Sequence, residues 1–243
     1  MAKRSIKVAL EWAEEIGFPL TTSYVLGRSC WLNSLLNNFE ATRAQAEKLL
    51  VISQRHRFSS FEHSGIFFLN FAKVQAGNMD GSEIERMFQA IEEYYAMGTI
   101  LNRTAMLVFF ADACRKTENP KRGLAVLNES ISLGEKTGEL WFQAEACRMK
   151  GELLAQIAGQ AEYGRGSYSE SENCFLRAYE IARSQEAKSL QLRAAISLLK
   201  LSQKIGNPNQ TRLMLLEVFQ DFKEGFNTPD LIEAASLLNE LTR

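Results

Sequence analysis

The sequence predicts an all-α protein: a right-handed solenoid of about five to six helix pairs, closed by a terminal helix. Three observations predict it. Apolar residues recur at three- and four-residue spacing in one segment after another, as amphipathic helices require. The breaks that end alternate helices, Gly17, Arg57, Gly98 and Gly138, follow at intervals of 40, 41 and 40 residues, and Ala187 comes after a longer gap of 49. Within each pair one helix is apolar nearly all round and the other has a polar outer side. Stacked helix hairpins need this, because the inner helix touches neighbours on both sides.

Taken in order, Lys3 to Ile16 carries Ile6, Ala9, Leu10, Ala13 and Ile16 at helical spacing and ends at Gly17, with Pro19 just beyond. This helix reads as the second half of a pair whose first half is missing, so a fragment or shortened copy of something longer is expected. Tyr24 to Leu36 forms the next helix and a polar break falls at Asn37 and Asn38. Ala46, Leu49, Leu50 and Ser53 define the third. Phe61 to Ala76 is apolar on more than one side and is broken at GNMDG. Ser82 and Glu85 then make a capping-box pattern ahead of Ile84, Met87, Phe88, Ile91 and Tyr94. Leu101 to Arg115 is again apolar nearly all round and ends in TENP. There Asn119 can cap, and Pro120 can take the first helical position, where its missing N–H costs nothing. Asn207-Pro208 and Thr228-Pro229 repeat the device.

The segment Ala187 to Leu231 shows the unit most plainly. Leu192, Ala195, Ile196 and Leu199 line one helix, and Leu215, Phe219 and Phe222 line the next. Such a pair cannot bury both apolar faces alone, so stacking on similar pairs is required. The residues that lengthen one interval have an obvious home in the Gly-rich stretch 161–170, an insertion between the helices of one pair. Small residues give a second register: Ala72, Ala111 and Gly151 stand 39 and 40 apart on successive first helices, where a neighbouring helix would approach closely. Thr228 to Leu241 is the terminal capping helix, and the whole chain, 1–243, is expected to form one superhelical domain.

A repeat of about 40 residues, with a small residue on the first helix and an Ala-rich second helix, resembles the tetratricopeptide class in its longer bacterial form. Three segments are more specific: RMKGELLAQ (Arg148 to Gln156), SENCFLRAYEIARSQEAKSLQLRAAISLLKL (Ser171 to Leu201) and FKEGFNTPDLIEAASLLNEL (Phe222 to Leu241). They resemble the C-terminal repeats of large bacterial signalling proteins. Those proteins join a nucleotide cyclase, protein kinase or DNA-binding effector to a signal-transduction ATPase and then to such repeats. The resemblance implies the module that receives signals or holds partners. The GxxxxGK[ST] phosphate loop of the ATPase is absent from this sequence, as are the cyclase and kinase motif sets.

Composition bounds the partners. With 46% hydrophobic and 23% charged residues over 243, the chain is that of a globular protein, and a net charge of −1 gives no electrostatic case for nucleic acid or an anionic membrane. No apolar run approaches the roughly 20 residues that span a bilayer, and the N-terminus lacks the apolar core of a signal peptide, so a cytoplasmic protein is expected. Cys30, Cys114, Cys147 and Cys174 lie far apart in apolar helical contexts and read as reduced, buried hydrophobes. His56 and His63 are seven residues apart across a helix break without companion ligands, so no metal and no other cofactor is expected. Adjacent carboxylates such as Glu92-Glu93 point about 100° apart on a helix and read as solvated.

Polar residues on first helices are the binding candidates, because those helices would line the concave groove. Lys73, Asp112 and Glu152 each follow the small residue of their repeat, and Arg148 lies one turn before Glu152. An equally direct reading makes Arg148 and Glu152 an i,i+4 surface pair. Arg193, in the LRAA segment, reads as structural, bonding helix-end carbonyls or a neighbouring turn. The expected function is a non-catalytic protein-interaction and regulatory module of a bacterial signal-transduction system. Its partner would be a protein, a peptide, or the linked domains of a larger signalling ATPase. The alternative is a small-molecule sensor whose superhelix changes shape on binding. An enzyme would need a cluster of ionisable groups that the sequence does not show.

Overall fold

The computed structural model describes residues 2–98, 101–160 and 168–240. Among these residues it contains twelve helices and no strand. They fall into two compact units, Met1–Arg103 and Thr104–Arg243.

The first unit holds α1 (Ala2–Ile16), α2 (Pro19–Leu35), α3 (Phe39–His56), α4 (Ser59–Ala76) and α5 (Glu83–Ala96). Each helix packs on the next, and α2 also touches α4. Its core is aromatic. Phe67, Phe68 and Phe71 are buried on α4, with the Trp31 ring edge-on to Phe68 at 5.1 Å and Phe39 edge-on to Phe71 at 5.9 Å. Cys30, Ala46, Leu49, Met87 and Ile91 complete it from the neighbouring helices.

The second unit holds α6 (Arg103–Lys116), α7 (Pro120–Thr137), α8 (Gln143–Gln160), α9 (Ser169–Ser184), α10 (Lys188–Ile205), α11 (Asn209–Gln220) and α12 (Pro229–Glu240). From α7 onward each helix packs on the next, while α8 touches α10 and α10 touches α12. The Ser130 hydroxyl on α7 donates to the Thr104 carbonyl at 2.9 Å and joins α7 to α6. The asymmetry read in the sequence is present: α6 buries an unbroken run from Thr104 to Ala111, whereas α5 buries only Glu83, Met87, Ala90 and Ile91. The terminal helix earns its place through Leu231, Ala234, Leu237 and Leu238, which enter the same apolar cluster as Leu192, Leu199 and Leu215.

Helix boundaries differ from the expectation where capping chemistry decides them. Pro19 begins α2 instead of merely following α1, since a proline at the first helical position loses no hydrogen bond. Pro208 is the N-cap of α11, one position earlier than a helix-starting proline. Neither Asn119 nor Ser82 caps through its side chain, so the capping box at Ser82 and Glu85 is not formed. Glu83 takes that role: its buried carboxylate reaches back and accepts from the backbone N–H of Asp80 at 3.0 Å and of Gly81 at 3.0 Å. The Ser82 hydroxyl donates to Asp80 instead. Asn38 is a side-chain cap, accepting from Ala41 N–H at 3.4 Å. At the other ends, Gly17, Arg57, Gly98 and Gly138 all have left-handed backbone, and so does Glu186, one residue before Ala187. Of the stretch read as an insertion, 161–167 lies outside the described residues, and α9 already begins at Ser169.

No helix among the described residues is long and apolar enough to cross a membrane.

Candidate functional site

The four candidate residues fall in both units. Lys73 belongs to the first, and Asp112, Arg148 and Glu152 to the second. Each unit builds a polar site around them.

In the first unit, α4 and α5 enclose a cleft of about 310 Å³ lined by Ile66, Leu69, Asn70, Lys73, Arg86, Gln89, Ala90 and Glu93. The polar residues of its α5 wall have partners. Gln89 Nε2 donates to Glu93 Oε1 at 2.8 Å, and Arg86 lies 3.7 Å from Asp80. Its α4 wall differs. Asn70 is only 3% exposed; its Nδ2 donates to the Ile66 carbonyl at 2.7 Å, and its Oδ1 has no partner. A buried amide oxygen without a donor is costly, by about 1–3 kcal/mol, and an incoming N–H would recover that cost. Lys73, one turn further along α4, makes no ion pair among the described residues. The sequence singled out Lys73 and missed Asn70, whose signal was an amide in an otherwise apolar helical stretch, FFLNFA.

In the second unit, Arg148 and Glu152 come together, and they do so inside a larger network. Glu145, Arg148 and Glu152 share one face of α8 at i,i+3 and i,i+4 spacing. Arg148 grips Glu145 with two parallel bonds, Nε to Oε2 at 2.9 Å and Nη2 to Oε1 at 2.7 Å. Its Nη1 donates to Glu152 at 3.1 Å and to the Ser197 hydroxyl of α10 at 3.3 Å, while Ser197 donates to Glu152 at 2.6 Å. Arg193 of α10 sits 3.6 Å from Glu145 and donates to Asp230 of α12 at 2.8 Å. Three helices that touch along their apolar residues are thereby also joined by charge. The sequence reading gave Arg193 a structural role, bonding helix-end carbonyls or a neighbouring turn; its contacts here include the carboxylates of Glu145 and Asp230.

Burial alone would raise the pKa of Glu145. The two guanidiniums override it and hold the carboxyl at about 2, so it is a fixed anion at neutral pH. Arg148 is the counterpart: burial opposes its charge, but Glu145, Glu152 and Asp112 raise its pKa further. Asp112 itself pairs with Arg115 of its own helix at 2.9 Å. Its place beside the network is electrostatic, through the field it adds at Arg148.

The remaining chemistry-bearing residues have packing roles. His56 stacks on Phe58 at 5.6 Å, and His63 Nδ1 lies 3.1 Å from Glu93. Among the described residues no group of three His, Cys, Asp or Glu side chains stands close enough together to hold a metal ion. Cys30, Cys114 and Cys147 are buried, whereas Cys174 is half-buried, contrary to the expectation for that residue. Burial pushes the Cys30 thiol up to about 12, far from the thiolate a nucleophile needs.

The sequence matches no protein-family model, and no curated protein matches it.

Proposed function

We propose that this chain is a non-catalytic, peptide-binding regulatory module of a bacterial signal-transduction system, built as a right-handed tetratricopeptide-like solenoid. The repeat reading is supported by the left-handed residues Gly17, Arg57, Gly98 and Gly138, whose spacing of 40, 41 and 40 puts the same backbone turn at the end of alternate helices. The binding reading rests on Asn70 and Lys73, which line the α4–α5 cleft together, and on the buried Oδ1 of Asn70, which has no partner and would gain one if the amide turned toward an occupant. An amide accepts from a peptide N–H whatever the side chain, and Lys73, which makes no close ion pair among the described residues though it adds to the field at Asp80, gives a preference for a carboxylate nearby. The occupant is therefore an acidic segment of a partner protein or of a linked domain.

Selection from a random peptide library, followed by fluorescence polarisation on the recovered peptides, tests this. Acidic peptides are expected to dominate. Lys73→Glu should weaken them by about tenfold while sparing neutral ones, and Asn70→Ala should weaken all of them. Recovery of no peptide, or peptides indifferent to both substitutions, would sink the reading.

A second reading, an effector sensor, is favoured by one observation. α1, α2 and α3 border a groove of about 610 Å³ whose lining includes Leu10, Leu26, Val51 and Ile52, with Glu14 and Lys48 also present. That volume and apolar character suit a small ligand.

A further inference from the structure

α1 carries two apolar stripes, and only one of them is used. Ala13 is buried toward the rest of the first unit. The other runs through Val8, Trp12 and Ile16, with Ala9 between the two; Val8 and Ala9 are half-buried, while Trp12 is 64% and Ile16 65% exposed. Beside Trp12 lies a hollow of about 310 Å³ lined by Arg4, Ser5, Val8 and Ala9. The hollow exists because residues 5 and 9, one turn apart, are small. The helix thus presents a large flat knob and, about seven residues earlier on the same stripe, a depression.

The charges along α1 are ordered in the same sense. Lys3, Arg4 and Lys7 occupy its first half, and Glu11, Glu14 and Glu15 its second. This opposes the helix dipole, which favours acidic residues at the start and basic ones at the end, so intrahelical stability does not account for the order. Arg4, Glu11 and Glu15 lie along one flank of the exposed stripe by helical geometry. Lys7 meets Glu11 at 3.8 Å, while Arg4 and Glu15 have no ion pair among the described residues.

We propose that this face is the interface between two copies of the chain, paired antiparallel through α1 about a two-fold axis near Val8 and Ala9. In such an isologous contact a residue meets its counterpart's partner and the reverse holds equally. Trp12 of each copy enters the hollow over Ser5 and Ala9 of the other, and the guanidinium of Arg4 comes within reach of the opposite indole. The same antiparallel arrangement sets the basic half of one helix against the acidic half of its mate, bringing Arg4 toward Glu11 and Glu15. A parallel pairing would oppose like charges. A 15-residue helix is about 22 Å long, so the contact buries area at the low end of specific interfaces, about 1,000 Å². The pairing is therefore a reversible one of micromolar strength, reinforced at low salt.

Sedimentation equilibrium of the full chain over a range up to about 100 µM reads the association directly. The expected result is a monomer–dimer equilibrium that weakens as salt is raised. Trp12→Ala, Arg4→Glu and Glu15→Arg should each raise Kd by about tenfold or more, with far-UV circular dichroism unchanged because none of the three is buried. The double variant Arg4→Glu/Glu15→Arg restores the contact between positions 4 and 15 with signs reversed while Glu11 stays acidic, so it should bind tighter than either single variant and recover part of the lost affinity. A chain that stays monomeric throughout overturns the proposal, leaving the stripe to a different partner. So does a dimer indifferent to the charge reversals and their combination.

Discussion

Glu145→Ala is expected to cost the chain about 3 kcal/mol at neutral pH, read as a lowered midpoint in urea unfolding. Removing one partner of a buried ion pair leaves the other desolvated without compensation, which costs about 3–5 kcal/mol. The lower end applies because Arg148 keeps Glu152 and Arg193 keeps Asp230. The same carboxylate gives a pH signature. Its pKa falls from 4.5 to about 2 on folding. A carboxyl depressed in this way contributes stability that is complete above about pH 4.5 and is lost as pH falls toward 2. The parent should lose about 3 kcal/mol more across that window than Glu145→Gln, which has no such proton to bind. Equal urea midpoints for parent and alanine variant at pH 7, or parallel acid profiles for parent and glutamine variant, would show that the network adds no stability.

Gly151→Leu should be nearly as damaging. A Cβ on Gly151 would stand 2.5 Å from Phe175 Cε1 and 2.6 Å from Cδ1, inside contact distance. Phe175 is 2% exposed, fixed in the cluster formed with Ala178, Leu192 and Leu199, so the ring has no empty space to enter. Overpacking of this kind costs about 1–3 kcal/mol, and a leucine belongs at the upper end or beyond. Thermal unfolding measures it, and Phe175→Leu in the same chain should recover part of the loss. A Gly151→Leu chain melting like the parent would mean that α8 and α9 do not approach as closely as described.

Several of these features were legible in the sequence, and the reason differs from one to the next. Helices α4 and α6 announced themselves because apolar periodicity is a local property, and Gly151 was recognisable as a close approach because small residues recurred at one register. Helix starts were harder. The Ser82–Glu85 pattern satisfies the capping-box rule, yet Glu83 competes for the same turn and wins, a contest between residues one position apart that spacing does not decide. Arg148 and Glu152 were found as a pair, since four residues along a helix fix their proximity. Glu145 had the same local signal, three residues before Arg148 on an otherwise apolar and small-residue face. What local order could not convey is that Arg193 and Asp230 arrive from other helices. Asn70 was missed for a related reason: whether a buried amide finds its second hydrogen bond depends on α5, not on α4.

The network on α8, α10 and α12 also bears on the order in which the chain comes together. Its bonds join residues 49 and 37 positions apart, Arg148 to Ser197 and Arg193 to Asp230. The helices themselves and their hairpin contacts are far more local, and local contacts are cheaper to close early. The bidentate grip of Arg148 on Glu145 can form within α8 alone, but the cross-links wait until three helices have docked. An interaction absent from the transition state leaves the folding rate untouched and slows unfolding. The charged cross-links are therefore expected to close late, so that removing the Arg193–Asp230 bond should speed unfolding of the second unit and leave its folding rate near the parent's in stopped-flow measurements.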